Sequence, residues 1–233
     1  MVLSTSLLSE RGGSSDGVGM EIIKRISDEL SDGEADKIEL LTLEALRQGL
    51  SPEIILKEGL IAGMNIIGER FKQGELFVPE VLLAARAMQA GMNILKPRLI
   101  QTGVKPAGRI IIGTVKGDLH DIGKNLVAMM LEGGGFEIID LGIDTAPERF
   151  VKEVRDKKPQ ILAMSALLTT TLPMMKATIE ALKAEGLRDK VKILVGGAPL
   201  SQRYADEIGS DGYAPDAVSA VAKARELLNL TGT

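Results

Sequence analysis

The chain holds one histidine and no cysteine among 233 residues, so any chemistry that needs a titrating imidazole rests on His120. That residue sits in the run Gly113-Thr-Val-Lys-Gly117-Asp118-Leu119-His120-Asp121-Ile122-Gly123-Lys-Asn125. A carboxylate two positions before an imidazole can accept one ring proton and leave the other nitrogen free for a ligand or an ion. The usual zinc constellations are excluded, because they draw several ligands from a pool of histidines and cysteines that this chain lacks. A metal bound at His120 must bring most of its coordination sphere with it. Two plainer readings stand beside this one: a lone histidine is as a rule an ordinary core or surface residue, and Asp118 is a good cap for a turn or helix. Position favours the ligand reading, since His120 falls between a strand and a helix, where open parallel sheets bind their ligands.

Two further clusters occupy equivalent places. Ser165-Ala-Leu167-Leu-Thr169-Thr-Thr171 follows an apolar strand pattern, and Gly196-Gly197 follows another. Their plain readings are a strand end with an N-cap cluster and an ordinary strand-to-helix turn.

The elements that position these residues are legible as two grammars. From Glu21, apolar residues Ile22, Ile23, Ile26 and Leu30 recur at helical spacing until Asp32-Gly33 stops them. A second helix is predicted from Ala35 to Gln48, with Ile38, Leu41, Ala45 and Leu46 on one face. Ser51 and Pro52 form an N-cap and first-position pair that opens a third helix, through Ile55, Leu60, Met64 and Ile67 to Phe71. Pro79 starts a fourth, carrying Val81, Leu82, Ala85, Met88, Met92 and Leu95, and Pro97 weakens its continuation. Short loops between amphipathic helices predict an antiparallel four-helix bundle over residues 20–101. The Gly/Ser-rich stretch closing residues 1–19 predicts a mobile tail, and residues 102–108 have linker composition.

Beyond the linker, over residues 109–233, strands alternate with helices. Strands are predicted at Arg109 to Val115, Glu137 to Leu141, Ile161 to Ser165, Lys192 to Val195 and near Gly212-Tyr213. Thr145-Ala-Pro-Glu148 reads as a capping box that opens a helix reaching about Asp156. The fold class is therefore α plus α/β, a helical bundle followed by a doubly wound parallel five-stranded sheet of Rossmann-like, flavodoxin-like form. Every residue singled out for chemistry falls at the carboxyl ends of its strands.

Composition permits this without requiring it. The net charge is −4, which gives no polyanion-binding face and predicts no nucleic-acid partner. Apolar runs fall short of the ~20 residues of a membrane span, and the amino terminus lacks the basic and apolar regions of a signal peptide. A cytoplasmic protein is expected.

Asp118-x-His120-x-x-Gly123, then Ser165-Ala-Leu167, then Gly196-Gly197 resembles the three-part signature of cobalamin-binding domains that take the cofactor base-off and His-on. The resemblance implies a corrin that supplies four equatorial nitrogens, with His120 as the lower axial ligand to cobalt. It implies that Asp118 accepts the Nδ1 proton of His120 and that Thr171 supplies the hydroxyl of this relay, where the family often has serine. Gly117, Leu119, Asp121, Ile122 and Gly123 are implied as loop contacts. Ser165, Leu167, Thr169, Gly196 and Gly197 would line the channel for the nucleotide tail, and Tyr213 and Ala214 are carried as cofactor-binding positions. In the helical half, the stretch from Gly63 to Val81 resembles the cap over methylcobalamin in methionine synthase and in smaller corrinoid proteins. Phe71, Val78 and Val81 match the residues that shield the cobalt-bound methyl group there, although bundle core is their simpler role.

The resemblance runs from Glu21 to Leu228 and is nearest to free-standing corrinoid proteins of methyl-transfer systems in anaerobic microbes. It implies three partners: a substrate:corrinoid methyltransferase, a corrinoid:acceptor methyltransferase acting on a pterin or thiol, and a reductive activation protein. Three other readings compete. A mutase subunit shares the histidine signature without this helical cap. A cobalamin-sensing regulator shares both halves but needs a basic helix-turn-helix module, for which the stretch before Glu21 is too short. A response-regulator-like or nucleotide-binding sheet with a helical dimerisation domain lacks support, since Gly113-x-x-x-Gly117 is neither the dinucleotide fingerprint nor the P-loop.

Overall fold

The computed structural model describes residues 15–102 and 105–230. Four helical rods come first: α1 (Ser15–Asp32), α2 (Ala35–Arg47), a rod built from α3 (Pro52–Ile54), a π-helical segment (Ile55–Ile61) and α4 (Ala62–Lys72), and then α5 (Val78–Thr102). Ser51 caps the third rod as its sequence position predicts, its Oγ accepting from the Ile54 amide at 3.2 Å. Two expectations are corrected here. Residues 15–19, read as the end of a tail, belong to α1, because Gly19 is buried with Leu50 so close that a Cβ would stand 3.1 Å from it. Residues 1–14 lie outside the described residues. Pro97, read as weakening the last helix, sits inside α5, which runs on to Thr102. Leu95 and Leu99 are both buried, and that packing on either side outweighs the one hydrogen bond proline removes.

The π segment has a cause in the sequence. Apolar or small residues recur at every fourth position: Ile55, Gly59, Gly63, Ile67 and Phe71, beside Leu56, Leu60, Met64 and Gly68. In an α-helix a strict step of four drifts by about 40° each time. The wider turn of a π-helix, with its i→i+5 bonds, takes that drift back. Gly59 and Gly63 consequently both face α1, where Cβ atoms would stand 3.1 Å from Ile26 and 2.7 Å from Leu30. Phe71 then emerges on the side that faces the sheet domain.

The second half alternates β1 (Arg109–Thr114), α6 (Ile122–Gly133), β2 (Glu137–Asp140), α7 (Pro147–Lys157), β3 (Ile161–Ser165), α8 (Pro173–Ala184), β4 (Lys192–Gly196), α9 (Gln202–Ile208), β5 (Gly212–Ala214) and α10 (Ala217–Leu227). The strands lie in the order β2-β1-β3-β4-β5, and each hydrogen-bonded pair is parallel. Sheet order reverses between β1 and β3, so the crevice at their carboxyl ends is the topological switch point where such sheets bind ligands. Ile111, Leu162 and Ile193 face one apolar layer, and Ile110, Ile112 and Leu194 the other.

Thr145 does not cap α7, which is a further correction. The cap position is Ala146, and the Thr145 amide donates instead to the Thr114 carbonyl at 2.9 Å, pairing the chain beside β1 before the helix can begin. The bundle packs on α6 and α10, since Met130, Ala217 and Val218 belong to the same apolar cluster as Ile67 and Met88. No helix among the described residues is long and apolar enough to cross a membrane.

Candidate functional site

β1 ends at Thr114 and the chain turns through residues 115–121 before α6. Within that turn Asp118 is fully buried, while the side chain of His120 is half exposed. The ring Nδ1 lies 2.7 Å from Asp118 Oδ1, which also accepts the His120 amide at 3.1 Å. An ionised carboxylate is an acceptor only, so Nδ1 carries a proton, and in the neutral ring Nε2 keeps its lone pair. Among the described residues Nε2 has no protein partner.

The other carboxylate oxygen is tied to the third strand. Asp118 Oδ2 accepts from the amides of Leu167 at 2.7 Å and Leu168 at 3.2 Å, and from the hydroxyl of Thr171 at 2.8 Å. The Thr171 hydroxyl also lies 2.9 Å from the Leu168 carbonyl. With a single proton it donates to the carboxylate, the stronger acceptor. Burial opposes ionisation of Asp118, yet the Leu167 amide, the His120 ring and amide, and the Thr171 hydroxyl together hold its pKa well below the usual carboxylate range. The sign for stability follows from a depressed value. The contribution of Asp118 is complete above its ordinary pKa and is lost only as pH falls through the lowered one.

A mostly apolar cleft of about 380 Å³ opens in front of His120, between the bundle and the sheet edge. Phe71, Val78 and Val81 form its bundle wall, and His120, Ile122 and Gly123 its wall after β1. Ser165 and Leu167 after β3, Gly196 and Gly197 after β4, and Ala214 in β5 complete the sheet side. Asp118 and Thr171 stand behind the imidazole and hold it there. Gly117, Leu119, Asp121, Thr169 and Tyr213 do not line the cleft. Leu119 is exposed to solvent, Asp121 accepts from Asn125 on the outside of α6, and the Tyr213 hydroxyl turns away to the Leu200 carbonyl at 3.1 Å.

Several lining residues escaped the sequence reading. Lys124, Leu126 and Val127 come from α6, and Ala217, Val218 and Ala220 from α10. The small residues of α10 were the available signal, because a helix face of alanines lets a bulky group lie against the sheet edge. Lys124 was another, a charge placed directly after Gly123 on a helix that is otherwise apolar on that side.

The backbone at the cleft is shaped for close approach. Gly197 has φ +138°, and a Cβ there would fall 1.9 Å from the Ala166 carbonyl oxygen, so this turn admits glycine alone. Gly123 differs. A Cβ would meet open space, so packing within the protein does not call for glycine here. Among the described residues no group of three or more histidines or acidic residues could hold a metal ion by itself. These residues suit a flat cofactor that carries its own chelated metal and needs one axial nitrogen.

Comparison with known proteins leads to the same place. Residues 108–222 match the B12 binding domain, and residues 22–96 match a second B12 binding domain family. The dimethylamine corrinoid protein of Methanosarcina barkeri is 46% identical over 210 residues, covering 89% of this chain and 98% of the relative. The trimethylamine corrinoid protein of the same organism is 43% identical over 212 residues, covering 90% and 98%. Among solved structures, a cobalamin-binding protein from Desulfitobacterium hafniense DCB-2 aligns with TM-score 0.74 at 33% identity, covering 88% of this chain and 98% of that one. The methanol:cobalamin methyltransferase complex of M. barkeri aligns with TM-score 0.80 at 27% identity, covering 98% and 87%. Matched over both halves and along nearly the whole of its relatives, the chain belongs to the B12-binding corrinoid protein family.

Proposed function

We propose that this protein carries a methyl group on a bound corrinoid, receiving it from a substrate-specific methyltransferase and delivering it to a second methyltransferase with a pterin or thiol acceptor. The coarser role, a corrinoid protein of a methyltransferase system, follows from family membership and from relatives named for dimethylamine and trimethylamine. Methylamine-type donors are the first to assay. When bound, the corrinoid supplies a cobalt that takes up and releases a methyl group. The observation that carries the reading is the Asp118–His120 pair, one imidazole nitrogen fixed by a buried carboxylate and the other bare at the cleft.

The chain's own residues divide the work. His120 Nε2 would hold the cobalt of the bound corrinoid, and Asp118 with Thr171 holds the tautomer and direction of the imidazole. Ser165, Leu167 and the Gly196-Gly197 turn, which line the sheet side of the cleft, would hold the nucleotide tail. Gly123 leaves room beside the imidazole. Phe71, Val78 and Val81, on the bundle wall of the cleft, would keep water from the bound group. Bundle and sheet domain are the two functional units, joined by the residues after Thr102, and the bundle must swing aside for a partner to reach the metal.

Reconstitution tests the core of this. Protein grown on 15N-histidine, loaded with hydroxocobalamin and reduced to Co(II), will bind one corrinoid per chain. Its electron paramagnetic resonance spectrum will show the two-line axial coupling of a 15N ligand. A three-line pattern from the cofactor's own base would overturn the assignment. A second expectation concerns the lid. Phe71→Ala in methyl-loaded protein will lose the methyl group severalfold faster under light, because an opened cage lets fragments escape before they recombine. An unchanged loss rate would return Phe71 to plain bundle core.

A further inference from the structure

The turn that presents His120 is held by the loop after β2, and no residue of that loop lines the cleft. Asp144 lies in this loop with φ +51°. Its carboxylate accepts from the Gly117 amide at 2.8 Å and from Lys116 Nζ at 3.2 Å. Its own amide donates to the Asp118 carbonyl at 3.0 Å. Asp144 thus grips the histidine turn on both sides of Gly117, whose φ of +81° marks a left-handed bend that the following residues inherit. The neighbouring backbone joins in, with the Thr114 amide donating to the Gly142 carbonyl at 2.9 Å. Thr114 Oγ1 donates to the His120 carbonyl at 2.9 Å.

The far end of the turn is held from the end of β2. Asp140, the last residue of β2, pairs with the buried ammonium of Lys124 and accepts the Gly142 amide at 2.8 Å. Lys124 also donates to Asn125 Oδ1 at 2.7 Å, and Asn125 donates to Asp121 at 3.2 Å.

We infer that Asp144 is a positioning residue for the axial histidine, acting through the Gly117 amide and the Asp118 carbonyl to set where the imidazole stands at the cleft. This rests on the corrinoid reading above. The ion pair with Lys116 is not what carries it. Both side chains are substantially exposed, and exposed pairs contribute little. The bond to a backbone amide within a strained turn is the part that geometry depends on.

Three variants separate these contributions. Asp144→Gly removes the carboxylate without strain at a positive φ. Asp144→Asn keeps an acceptor and tolerates that backbone angle. Lys116→Ala removes the ion pair alone. In 15N-histidine protein loaded with hydroxocobalamin and reduced to Co(II), the ratio of His-on to His-off corrinoid will fall about tenfold in Asp144→Gly. It will stay near wild type in the other two. In apo-protein the single histidine gives one set of ring resonances. Its Nδ1 proton will exchange faster with water in Asp144→Gly and at the wild-type rate in Asp144→Asn. Wild-type coupling and exchange in Asp144→Gly would overturn the inference, as would equal damage in Asp144→Asn. Should wild type itself lack histidine coupling, the corrinoid assignment fails and apo-protein exchange still decides the role of Asp144.

Discussion

Exchanging Asp118 for asparagine will invert the tautomer of His120 and take the lone pair from Nε2. The carboxylate accepts five hydrogen bonds, three of them from Leu167, Leu168 and Thr171 and two from His120 itself. An asparagine has one oxygen, and three donors on the β3 side claim it. Its NH2 group is then left against the imidazole, which must accept at Nδ1 and carry its proton on Nε2. The same NH2 opposes the His120 amide, donor against donor. Losing the charge-assisted bonds and leaving a buried donor unpaired will cost about 2–4 kcal/mol in unfolding free energy. The His-on fraction of bound corrinoid will fall about 10–100-fold, while corrinoid itself stays bound through the rest of the cleft. The acid dependence of stability will also flatten, because the variant has no depressed carboxylate to protonate. Urea unfolding across pH and the resonance of 15N-histidine protein measure these effects. Wild-type stability together with wild-type axial coupling would refute the account.

The same residues show why part of this architecture was readable in advance. Continuous apolar runs and apolar residues at three-to-four spacing act locally, so the strands came within one residue of their observed ends and the bundle helices were recognisable before their packing was known. Ser51 caps its rod because an N-cap needs only the next three residues. Thr145 fails as a cap for the opposite reason: its amide is claimed by Thr114, thirty-one positions away in sequence, and no local rule sees that partner. Pro97 is tolerated through burial of Leu95 and Leu99, again a tertiary effect. The π segment could have been read from the strict step of four, which a straight α-helix cannot hold on one face. The histidine relay was legible because its members lie in ordered motifs at strand ends. Asp144 was not, because its role exists only after the sheet places the β2 loop beside the β1 loop, and the pairing of Lys124 with Asp140 likewise needs β2 beside α6. Tyr213 and Ala214 show the limit of carrying neighbours over together, since adjacent strand residues face opposite sides. Ala214 turns to the cleft and Tyr213 to Leu200.

Two glycines at the cleft will respond to alanine in opposite ways. In Gly197→Ala the new Cβ would lie 1.9 Å from the Ala166 oxygen, at a φ of +138° that side chains rarely adopt. The ends of β3 and β4 must part by roughly 1 Å to admit it. The Leu167 amide next to Ala166 is also a donor to Asp118, so the displacement reaches the relay behind His120. We expect a loss of about 4 kcal/mol or more, with corrinoid binding abolished in whatever fraction folds. Gly123→Ala meets nothing within 4 Å and lies inside α6, where alanine is the better helix former. Apo-protein should gain up to about 1 kcal/mol. Corrinoid affinity should nevertheless fall, because the methyl group takes space that only the cofactor would otherwise fill. Thermal unfolding of the apo-proteins and corrinoid titration separate the two effects. A Gly123→Ala protein that binds corrinoid as tightly as wild type would place the cofactor elsewhere in the cleft. A stably folded Gly197→Ala would mean that the β3 and β4 ends yield more easily than their packed backbones imply.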